Sequence, residues 1–291
     1  MTSPSTPGPR LAVDIGGTFT DLVLDTAQGR RALKLLTTPA APELAVLEGV
    51  RQLLAQAGLA AGDIELFLHG TTLATNAVIE RKGAKTALIA TEGFRDILEI
   101  ADEGRYDQYD LQLEKPRPLV PAALRFTLPE RVDARGRVLK PLDPAALEAL
   151  LPTLRAAGIE SLAIAFLHSY ANPAHEIAVA ERVAAALPGL WISRSSEVCP
   201  EIREYERTST TVANAYVQPV MASYLGRLAT ALTGIGLACP VFMMTSGGGL
   251  TTLETARRLP VRLVESGPAG GALLAARLAK ELGLDRVLSF D

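Results

Sequence analysis

Apolar and polar residues alternate along the first forty positions and predict three consecutive strands. The apolar runs lie at about 10–15, 19–25 and 31–37, and Gln28-Gly29 supplies the second turn. Alternation with a period of two, broken by glycine turns, is typical of antiparallel strands. We therefore expect the chain to open with a three-stranded meander.

Further along, the pattern changes to strands that alternate with helices. We predict further strands at 66–68, 86–90, 161–167, 191–193, 241–244 and 261–264. We predict helices from about Pro42 (with Leu44, Leu47, Val50 and Leu54 on one apolar face), from about 72, and at 144–156, 173–187, 201–233, 252–258 and 272–282. This alternation predicts an α/β fold, and the opening meander predicts a mixed sheet.

Residues 93–142 differ from the rest of the chain in composition, because they contain many charged residues and prolines. We predict that they form an insertion of loops and short elements. Two interpretations remain open for this insertion: one wall of a substrate cleft, or a solvated excursion without a ligand role.

The run DIGGTFTD at 14–21 predicts a phosphate-binding turn between the first two strands. Gly16 and Gly17 lack a Cβ and can adopt positive φ, so their backbone N–H groups can approach an anion closely. Thr18 and Thr20 add hydroxyl groups. The alternative is an ordinary hairpin with a glycine turn.

Asp14 and Asp21 bracket this turn and carry the chemistry expected of a metal site. Hard cations such as Mg²⁺ prefer oxygen ligands, and both carboxylates can hold the ion directly or through water. The turn and the two carboxylates together predict a cradle for a phosphate and its metal.

Two further glycine-rich segments follow predicted strands and precede predicted helices. One contains Gly247, Gly248 and Gly249, and the other contains Gly267 and Gly270. A helix N-terminus offers free N–H groups and a favourable dipole for an anion. Neither segment has the spacing of a dinucleotide-binding motif or of a P-loop. Tight connections that require small residues are the alternative.

His69 and Thr71 lie at another junction between a predicted strand and a predicted helix. An imidazole and a hydroxyl group at this position predict a catalytic or substrate-orienting role. The alternative is a packed histidine and a threonine that caps the helix. No order of Ser, His and Asp and no nucleophile elbow indicates a self-sufficient hydrolase.

Composition narrows the functional class. The 291 residues predict two or three structural units, and a net charge of −3 with 5% aromatic residues argues against a nucleic-acid binder. Cys199 and Cys239 show no zinc spacing, and the three histidines are dispersed. The first ten residues lack an apolar signal region, and no apolar run approaches a membrane span. We expect a soluble, cytoplasmic protein.

The last five residues repeat the apolar pattern that ends at Asp14. Val287–Asp291 reads as a buried strand that closes on an aspartate, but the sequence stops where the glycine turn would follow. We therefore expect the chain to be the N-terminal part of a longer protein. A natural C-terminal strand is the alternative.

Four segments resemble one known family. DIGGTFTD at 14–21, HGTTLATNAVIERKGAKTALIATEGFRDILEI at 69–100, SGGG at 246–249 and ESGPAGG at 265–271 are similar to the hydantoinase A/5-oxoprolinase family. N-methylhydantoinase A and acetone carboxylase β subunits belong to this group. The resemblance extends from about residue 11 to the end of the chain.

The resemblance implies an actin/hexokinase-like ATPase fold with two related halves and ATP in the cleft between them. This chain would supply the first half and the start of the second. The implied organisation is a disordered tail at 1–10, a hydantoinase/oxoprolinase N-terminal domain at 11–192 and an incomplete hydantoinase A domain at 193–291. Members of the family use ATP to activate the carbonyl of a cyclic amide, and many act beside a B-type subunit or domain.

The resemblance also implies roles for individual residues. Asp14 and Asp291 would face each other across the cleft as catalytic carboxylates and Mg²⁺ ligands. The implied phosphate ligands are Gly16, Gly17, Thr18 and Thr20. The implied contacts on the nucleoside side are Gly247, Gly248, Gly249, Gly267 and Gly270.

Three functions remain open at this stage. The first is an ATP- and Mg²⁺-dependent hydrolase subunit acting on a small cyclic amide. The second is a small-molecule kinase of the hexokinase-like superfamily, and the third is a non-catalytic ATP-binding component. The stretch at 69–100 favours the first. We expect no nucleic-acid or membrane partner, and self-association of the chain stays open.

Overall fold

The computed structural model describes residues 8–102, 107, 109, 110 and 112–290. The chain divides into two compact units: the residues up to Lys82 together with those from Val220 onward, and Gly83–Pro219. The first unit is thus built from both ends of the chain. The predicted boundary at 192–193 and the tail at 1–10 stay predictions, and residues 1–7 and 291 lie outside the described residues.

The elements follow the predicted alternation. The strands are β1 (Arg10–Ile15), β2 (Phe19–Thr26), β3 (Gly29–Leu36), β4 (Leu66–Thr71), β5 (Thr86–Thr91), β6 (Arg125–Leu128), β7 (Arg131–Val132), β8 (Val138–Lys140), β9 (Ser161–Ala165), β10 (Trp191–Arg194), β11 (Val241–Met244) and β12 (Leu250–Thr252). The α-helices are α1 (Pro42–Ala57), α2 (Leu73–Ile79), α3 (Ile97–Ile100), α4 (Pro144–Ala156), α5 (Ala174–Ala186), α6 (Ser195–Val198), α7 (Glu204–Gly234), α8 (Leu253–Arg258) and α9 (Ser266–Leu282).

The sheet of the first unit is mixed, as the opening meander predicts. Its strand order is β12-β11-β4-β1-β2-β3. The outer pairs β1–β2, β2–β3 and β11–β12 are antiparallel, whereas β4 runs parallel to both β1 and β11. The predicted meander is confirmed, and β1 lies near the middle of the sheet.

The two faces of this sheet differ in polarity because side chains alternate along each strand. Leu11, Val13 and Ile15 of β1 are buried in the core, whereas Ala12 and Asp14 point to the other face and are exposed. Helix α1 packs against β2 and β3. The alternation therefore places the carboxylate of Asp14 on the open face, away from the core.

Helix α1 begins as predicted but buries a different stripe. Pro42 occupies its first turn, and Gly58 ends it with φ of 66°. Leu44 is 55% exposed, so its predicted place on the buried face is wrong. The buried stripe contains Val46, Val50 and Leu53, which follow a helical spacing of four and three residues.

Gly49 lets α1 approach the sheet closely, and we expect Gly49→Ala to destabilise the protein. An added Cβ would lie 2.4 Å from Cδ1 of Leu22, which is fully buried. Overpacking a core costs about 1–3 kcal/mol, against a helix-propensity gain of about 0.5–1 kcal/mol. Gly234→Ala is the control, since an added Cβ at that position of α7 meets nothing within 4 Å. A urea midpoint at or above that of the parent would contradict this packing.

The second unit contains a parallel sheet in the order β10-β9-β5-β6. Helix α4 has the predicted bounds, and β9 and α5 are each two residues shorter than predicted. Leu147, Leu151 and Leu154 of α4 pack in the core with Val179 and Val183 of α5. Helix α7 begins in this unit, and the division between the units falls within it after Pro219.

The segment 93–142 contains loops and short elements, as predicted, but it also adds a strand to this sheet. Strand β6 pairs in parallel with β5, and the small hairpin β7–β8 follows it. Part of the segment therefore belongs to the core of the second unit. Its role in a substrate cleft stays a prediction.

Three predictions near the end of the chain are wrong. Residues Pro260–Leu263 form a 3₁₀ helix rather than a strand, because Pro260 provides no N–H for a sheet and has the φ of a helix start. Helix α9 begins at Ser266 rather than at 272. Residues 287–290 form no strand, and Leu288 and Phe290 are almost fully exposed.

Candidate functional site

Asp14 lies near the carboxyl end of β1, opposite a glycine. The register pairs it with Gly70 of β4 on one side and with Asp21 of β2 on the other. A Cβ on Gly70 would lie 2.7 Å from Oδ1 of Asp14. The missing side chain at position 70 therefore leaves the space that the carboxylate of Asp14 occupies.

The electrostatic environment of Asp14 favours a cation beside it. Partial burial, and then the negative charge of Asp21, raise the pKa of Asp14 above its usual range. Lys34 on β3 lies 2.9 and 3.0 Å from the two carboxylate oxygens of Asp21, so its charge is directed to Asp21 rather than to Asp14. A cation at Asp14 would relieve this repulsion.

The protein supplies few of the ligands that such a cation needs. Among the described residues, no group of three or more His, Cys, Asp or Glu side chains could hold a metal ion. Mg²⁺ usually binds through one or two carboxylates and completes its shell with water and substrate phosphates. Asp14 as a single carboxylate ligand fits this mode of binding and does not fit a metal held by protein ligands alone.

The turn after β1 is open, but its glycines have ordinary backbone conformations. The N–H of Gly16 donates to the carbonyl of Phe19 at 2.9 Å. Neither Gly16 nor Gly17 has positive φ, so that expectation is wrong. A Cβ on Gly17 would make only an ordinary contact, 3.5 Å from Nδ2 of Asn76. Gly17 and Thr18 are exposed, which leaves this turn accessible to a ligand.

Thr20 is buried and stabilises the turn from within. Its Oγ1 lies 2.9 Å from Oγ1 of Thr37, which itself donates to the carbonyl of Gly16 at 3.0 Å. The hydroxyl of Thr20 must therefore donate to Thr37. This hydroxyl is directed away from the open surface, and the predicted contact between Thr20 and phosphate stays a prediction.

A cavity of about 460 Å³ lies between the open face of the sheet and helix α9. Asp14, Gly70 and the first helical residues, Ser266 and Gly267, line it. The rest of the wall is mostly apolar and contains Ala12, Val23, Leu68, Met244, Leu250 and Leu274. The cavity thus brings a carboxylate and a helix N-terminus together inside an apolar wall.

Gly267 and Gly270 lie in the first turns of α9 and not in the predicted loop. The residue before the helix, Glu265, has φ of 64°, and its N–H donates to Oγ1 of Thr75 at 3.0 Å. A Cβ on Gly270 would lie 3.0 Å from Sδ of Met244. Gly270 therefore permits close packing of the helix on β11, while Gly267 lines the cavity.

The glycine triplet forms a hairpin rather than a connection from a strand to a helix. Gly247, Gly248 and Gly249 join the antiparallel strands β11 and β12. Gly248 has φ of 77°, which glycine adopts without strain. None of the three lines the cavity beside Asp14. The predicted contact between this triplet and the nucleoside stays a prediction.

His69 is a buried histidine of the core, and its predicted role as a catalytic group stays a prediction. Its side chain points to the opposite face of the sheet from Asp14 and is 1% exposed. Nδ1 lies 3.2 Å from the carbonyl oxygen of Val13, and Nε2 lies 2.6 Å from the hydroxyl of Tyr224. Both ring nitrogens are thus occupied. Burial lowers the pKa of His69 from 6.5 to about 4.

Thr71 is also buried, and it acts at the start of α2. Its Oγ1 accepts a hydrogen bond from the N–H of Leu73 at 3.2 Å. This contact matches the alternative of a helix-capping threonine, and the predicted catalytic role stays a prediction. Gly70, between these two residues, is the position that sequence reasoning missed. Gly70 is identified only by the strand register that places it opposite Asp14, and this register cannot be read from the sequence.

Because the pKa of His69 is low, we expect the protein to lose stability toward unfolding at acidic pH. The unfolded chain binds this proton below about pH 6.5, whereas the folded protein binds it only near pH 4. The stability contributed by neutral His69 is therefore complete above pH 6.5 and is lost as the pH falls toward 4. We expect His69→Asn to remove roughly 3 kcal/mol of this pH dependence.

Urea unfolding of the parent and of His69→Asn at pH 7.0 and 4.5 measures this effect. His168→Asn is the control, because His168 has φ of 55° and asparagine tolerates that conformation. An equal loss of stability in the parent and in His69→Asn on acidification would contradict the assignment.

Comparison with known proteins identifies the family. Residues 10–187 match the hydantoinase/oxoprolinase N-terminal region, and residues 207–291 match the hydantoinase/oxoprolinase family. The chain belongs to the hydantoinase/oxoprolinase family. It is 37% identical over 289 residues to caprolactamase subunit alpha of Pseudomonas jessenii, covering 97% of this chain and 42% of that protein. It is 33% identical over 307 residues to 5-oxoprolinase of Saccharomyces cerevisiae, covering 91% and 23%.

Solved structures confirm the fold of this hydantoinase/oxoprolinase chain. The ATP-dependent caprolactamase of Pseudomonas jessenii aligns with a TM-score of 0.85 at 37% identity, and a nucleotide-free acetone carboxylase aligns with 0.84 at 27%. Each alignment covers 95% of this chain and 41% of the other. The predicted α/β, actin/hexokinase-like ATPase fold with a mixed sheet is confirmed. Among the described residues, no helix is long and apolar enough to span a membrane.

Proposed function

We propose that this chain is a subunit of an ATP-dependent hydrolase that opens a small cyclic amide. In this reaction the amide oxygen receives the γ-phosphoryl group of ATP, and ADP leaves. One water then attacks the activated carbon and the ring C–N bond breaks, with the proton going to the leaving amine, which gives an acyl phosphate. A second water hydrolyses the acyl phosphate to a carboxylate and phosphate. One observation carries the proposal. Asp14 and the N-terminus of α9 line one cavity on the open face of the sheet, in a chain 37% identical to a caprolactamase subunit.

The residues of the site fit Mg²⁺ and the phosphates of ATP. Asp14, crowded by Asp21, supplies the negative charge that would oppose Mg²⁺ or its waters. The exposed residues Gly17 and Thr18 of the turn offer backbone N–H groups to phosphate oxygens. When bound, Mg²⁺ neutralises the charge that develops during phosphoryl transfer. The chain itself supplies position and electrostatic stabilisation rather than a nucleophile.

The apolar wall of the cavity supports a ring-shaped, largely apolar substrate. The helix N-terminus at Ser266 and Gly267 offers N–H groups to an amide oxygen, while Ala12, Leu68 and Met244 face the interior of the cavity. This arrangement would hold a cyclic amide with its carbonyl near Asp14. The predicted role of Asp291 stays a prediction, because that residue lies outside the described residues.

A partner of B type is part of the proposal. The caprolactamase relative is named as a subunit, and the chain spans less than half the length of that relative. We propose that ring opening is completed with a hydantoinase B-type subunit or domain. The proposed environment is the cytoplasm.

A second candidate is activation of a ketone for carboxylation. The likeness to acetone carboxylase, and 30% identity to the acetophenone carboxylase gamma subunit of Aromatoleum aromaticum over 96% of this chain, favour it. A ketone enolate and an amide both present an oxygen to a phosphoryl donor. The same site would therefore serve either chemistry.

Substrate-dependent release of ADP tests the proposal. The protein is assayed with its B-type partner, Mg²⁺ and ATP in the presence of a lactam or hydantoin, of a ketone with bicarbonate, of a sugar hydroxyl acceptor, or of the partner alone. Release stimulated by the cyclic amide, with one ring opened per ADP, supports the first candidate. Release stimulated only by the ketone supports the second. Release with the hydroxyl acceptor or with the partner alone would indicate a kinase or a non-catalytic ATPase and overturn the proposal.

A further inference from the structure

We propose that His69 is a positioning residue that fixes Asp14 from the core side of the sheet. The inference rests on the proposed role of Asp14 in holding Mg²⁺. It assigns to His69 a task that requires no contact with substrate, nucleotide or metal.

The hydrogen bonds of His69 define its tautomer. The acceptor at Nδ1 is the carbonyl oxygen of Val13, at 3.2 Å. Because a carbonyl only accepts, Nδ1 must carry the proton. The other ring nitrogen, Nε2, then accepts from the hydroxyl of Tyr224 at 2.6 Å. Burial, and the nearby charge of Glu43, raise the pKa of Tyr224, so this hydroxyl keeps its proton as a donor.

Val13 directly precedes Asp14, so the hydrogen bond from His69 acts on the backbone next to the proposed metal ligand. In the parallel register Val13 pairs with His69, one residue before Asp14 pairs with Gly70. The imidazole therefore ties the peptide group that joins Val13 to Asp14 to the core, at the position from which the Asp14 side chain emerges. Gly70 offers Asp14 no side-chain contact on the open face. Support for Asp14 from β4 thus comes from behind the sheet.

His69 is held by helix α7, which an ion pair ties to helix α1. Tyr224 lies on α7, and one turn further along the same helix Nε of Arg227 donates to Oε1 of Glu43 at 2.7 Å. Glu43 lies in the first turn of α1 and is buried. Binding groups must be held to within about half an ångström, and residues packed behind them supply that constraint. The series of hydrogen bonds from Val13 of β1 through His69 to Tyr224 of α7 is such a constraint behind Asp14.

Two substitutions separate the two hydrogen bonds of His69, to Val13 and to Tyr224. Asparagine places an amide nitrogen near the position of Nδ1 and keeps the donor to Val13. Glutamine places its amide near the position of Nε2 and keeps the partner for Tyr224. If the contact with Val13 positions Asp14, His69→Asn should bind Mg²⁺·ADP within about threefold of the parent, whereas His69→Gln should bind it about 10- to 100-fold more weakly.

Calorimetry of Mg²⁺·ADP binding and of ADP binding in EDTA provides the readout, with urea unfolding as the check on folding. A positioning role predicts that His69→Gln weakens binding only when Mg²⁺ is present. A purely structural role predicts that both variants lose stability. Nucleotide affinity would then depend neither on which hydrogen bond of His69 is kept nor on whether Mg²⁺ is present. Equal Mg²⁺·ADP affinity of folded His69→Asn and His69→Gln would overturn the inference.

The parent protein gives a second measurement that does not depend on variants. In ¹⁵N-edited NMR, His69 should appear as the Nδ1–H tautomer from pH 6 to 9, and its Nδ1–H signal should shift when Mg²⁺·ADP is added but not when ADP is added in EDTA. The Nε2–H tautomer, or an unchanged signal on saturation with Mg²⁺·ADP, would overturn the inference. If Asp14→Asn leaves the Mg²⁺ dependence of ADP binding unchanged, the proposed function itself fails, whatever tautomer His69 shows.

Discussion

Asp14→Asn is expected to lower ATP-coupled turnover by about 10²- to 10³-fold while the fold is retained. The substitution keeps the shape of the side chain and removes the charge that would oppose Mg²⁺ during phosphoryl transfer. Asp21 does not replace it, because both of its oxygens already contact Lys34. Turnover at saturating Mg²⁺, measured as ADP release in the presence of a cyclic amide, tests this prediction.

The same substitution should raise stability at neutral pH. In the folded protein the pKa of Asp14 lies above its usual 3.8, so the folded state binds the proton more tightly than the unfolded state. Ionisation of Asp14 therefore lowers stability as the pH rises from 3.8 through the raised pKa, and this cost remains at pH 7. Asparagine removes it. Loss of turnover together with a higher urea midpoint is the expected signature of a binding carboxylate.

Asp25→Asn is the matched control. Asp25 lies on β2, is exposed and pairs with Arg30 at 3.5 Å, outside the cavity. Its replacement should change neither turnover nor the Mg²⁺ dependence. Equal turnover of Asp14→Asn and Asp25→Asn at saturating Mg²⁺ would remove Asp14 from the site.

Gly70→Ala is expected to cause the second-largest loss, about 10- to 100-fold in turnover, with little change in stability. The added Cβ would lie 2.7 Å from Oδ1 of Asp14, so the carboxylate must rotate away. Such a rotation costs little, because the clashing atom is the end of a flexible side chain and Gly70 does not have positive φ. The metal contact depends on the position that is lost, and displaced ligand groups weaken a site by this order.

Gly62→Ala is the control for Gly70→Ala. Gly62 lies in the 3₁₀ helix Ala61–Asp63, where an added Cβ would approach only the carbonyl oxygen of Gly236, at 3.9 Å. Turnover and Mg²⁺ affinity are measured for both variants, and urea unfolding confirms that they fold. Parent-like Mg²⁺ affinity in Gly70→Ala would show that Asp14 does not use the space beside Gly70.

Local patterns predict much of this fold. The alternating runs of β1 to β3 and the helical spacing of α4 specify their elements through periods of two and 3.6 residues, which the sequence displays directly. Pro260 shows the limit of such patterns. The apolar residues that follow it are compatible with a strand, but they form a 3₁₀ helix. An apolar run of four residues does not distinguish these structures.

The candidate site divides in the same way. Asp14 and the exposed turn after it could be predicted because chemistry and spacing coincide in one short motif. The burial of His69, Thr71 and Thr20 could not, because it depends on which face of the sheet the core covers. A histidine beside a glycine looks the same in sequence whether it points to solvent or to Tyr224. Strand register decides this, and register is a property of the folded sheet.

The pairing of Asp21 with Lys34 has a consequence for how the site can vary. Four residues form a row across adjacent strands β4, β1, β2 and β3: Gly70, Asp14, Asp21 and Lys34. Lys34 on the outer strand β3 neutralises part of the charge of Asp21, and Asp21 in turn raises the pKa of Asp14. Lys34 is more than half exposed, and salt screens its charge. At the proposed cation site, the charge of residue 34 would therefore modulate the affinity of Asp14 for the ion, and added salt would weaken this effect. A substitution at this edge position would change that affinity without altering a residue proposed to contact the ion.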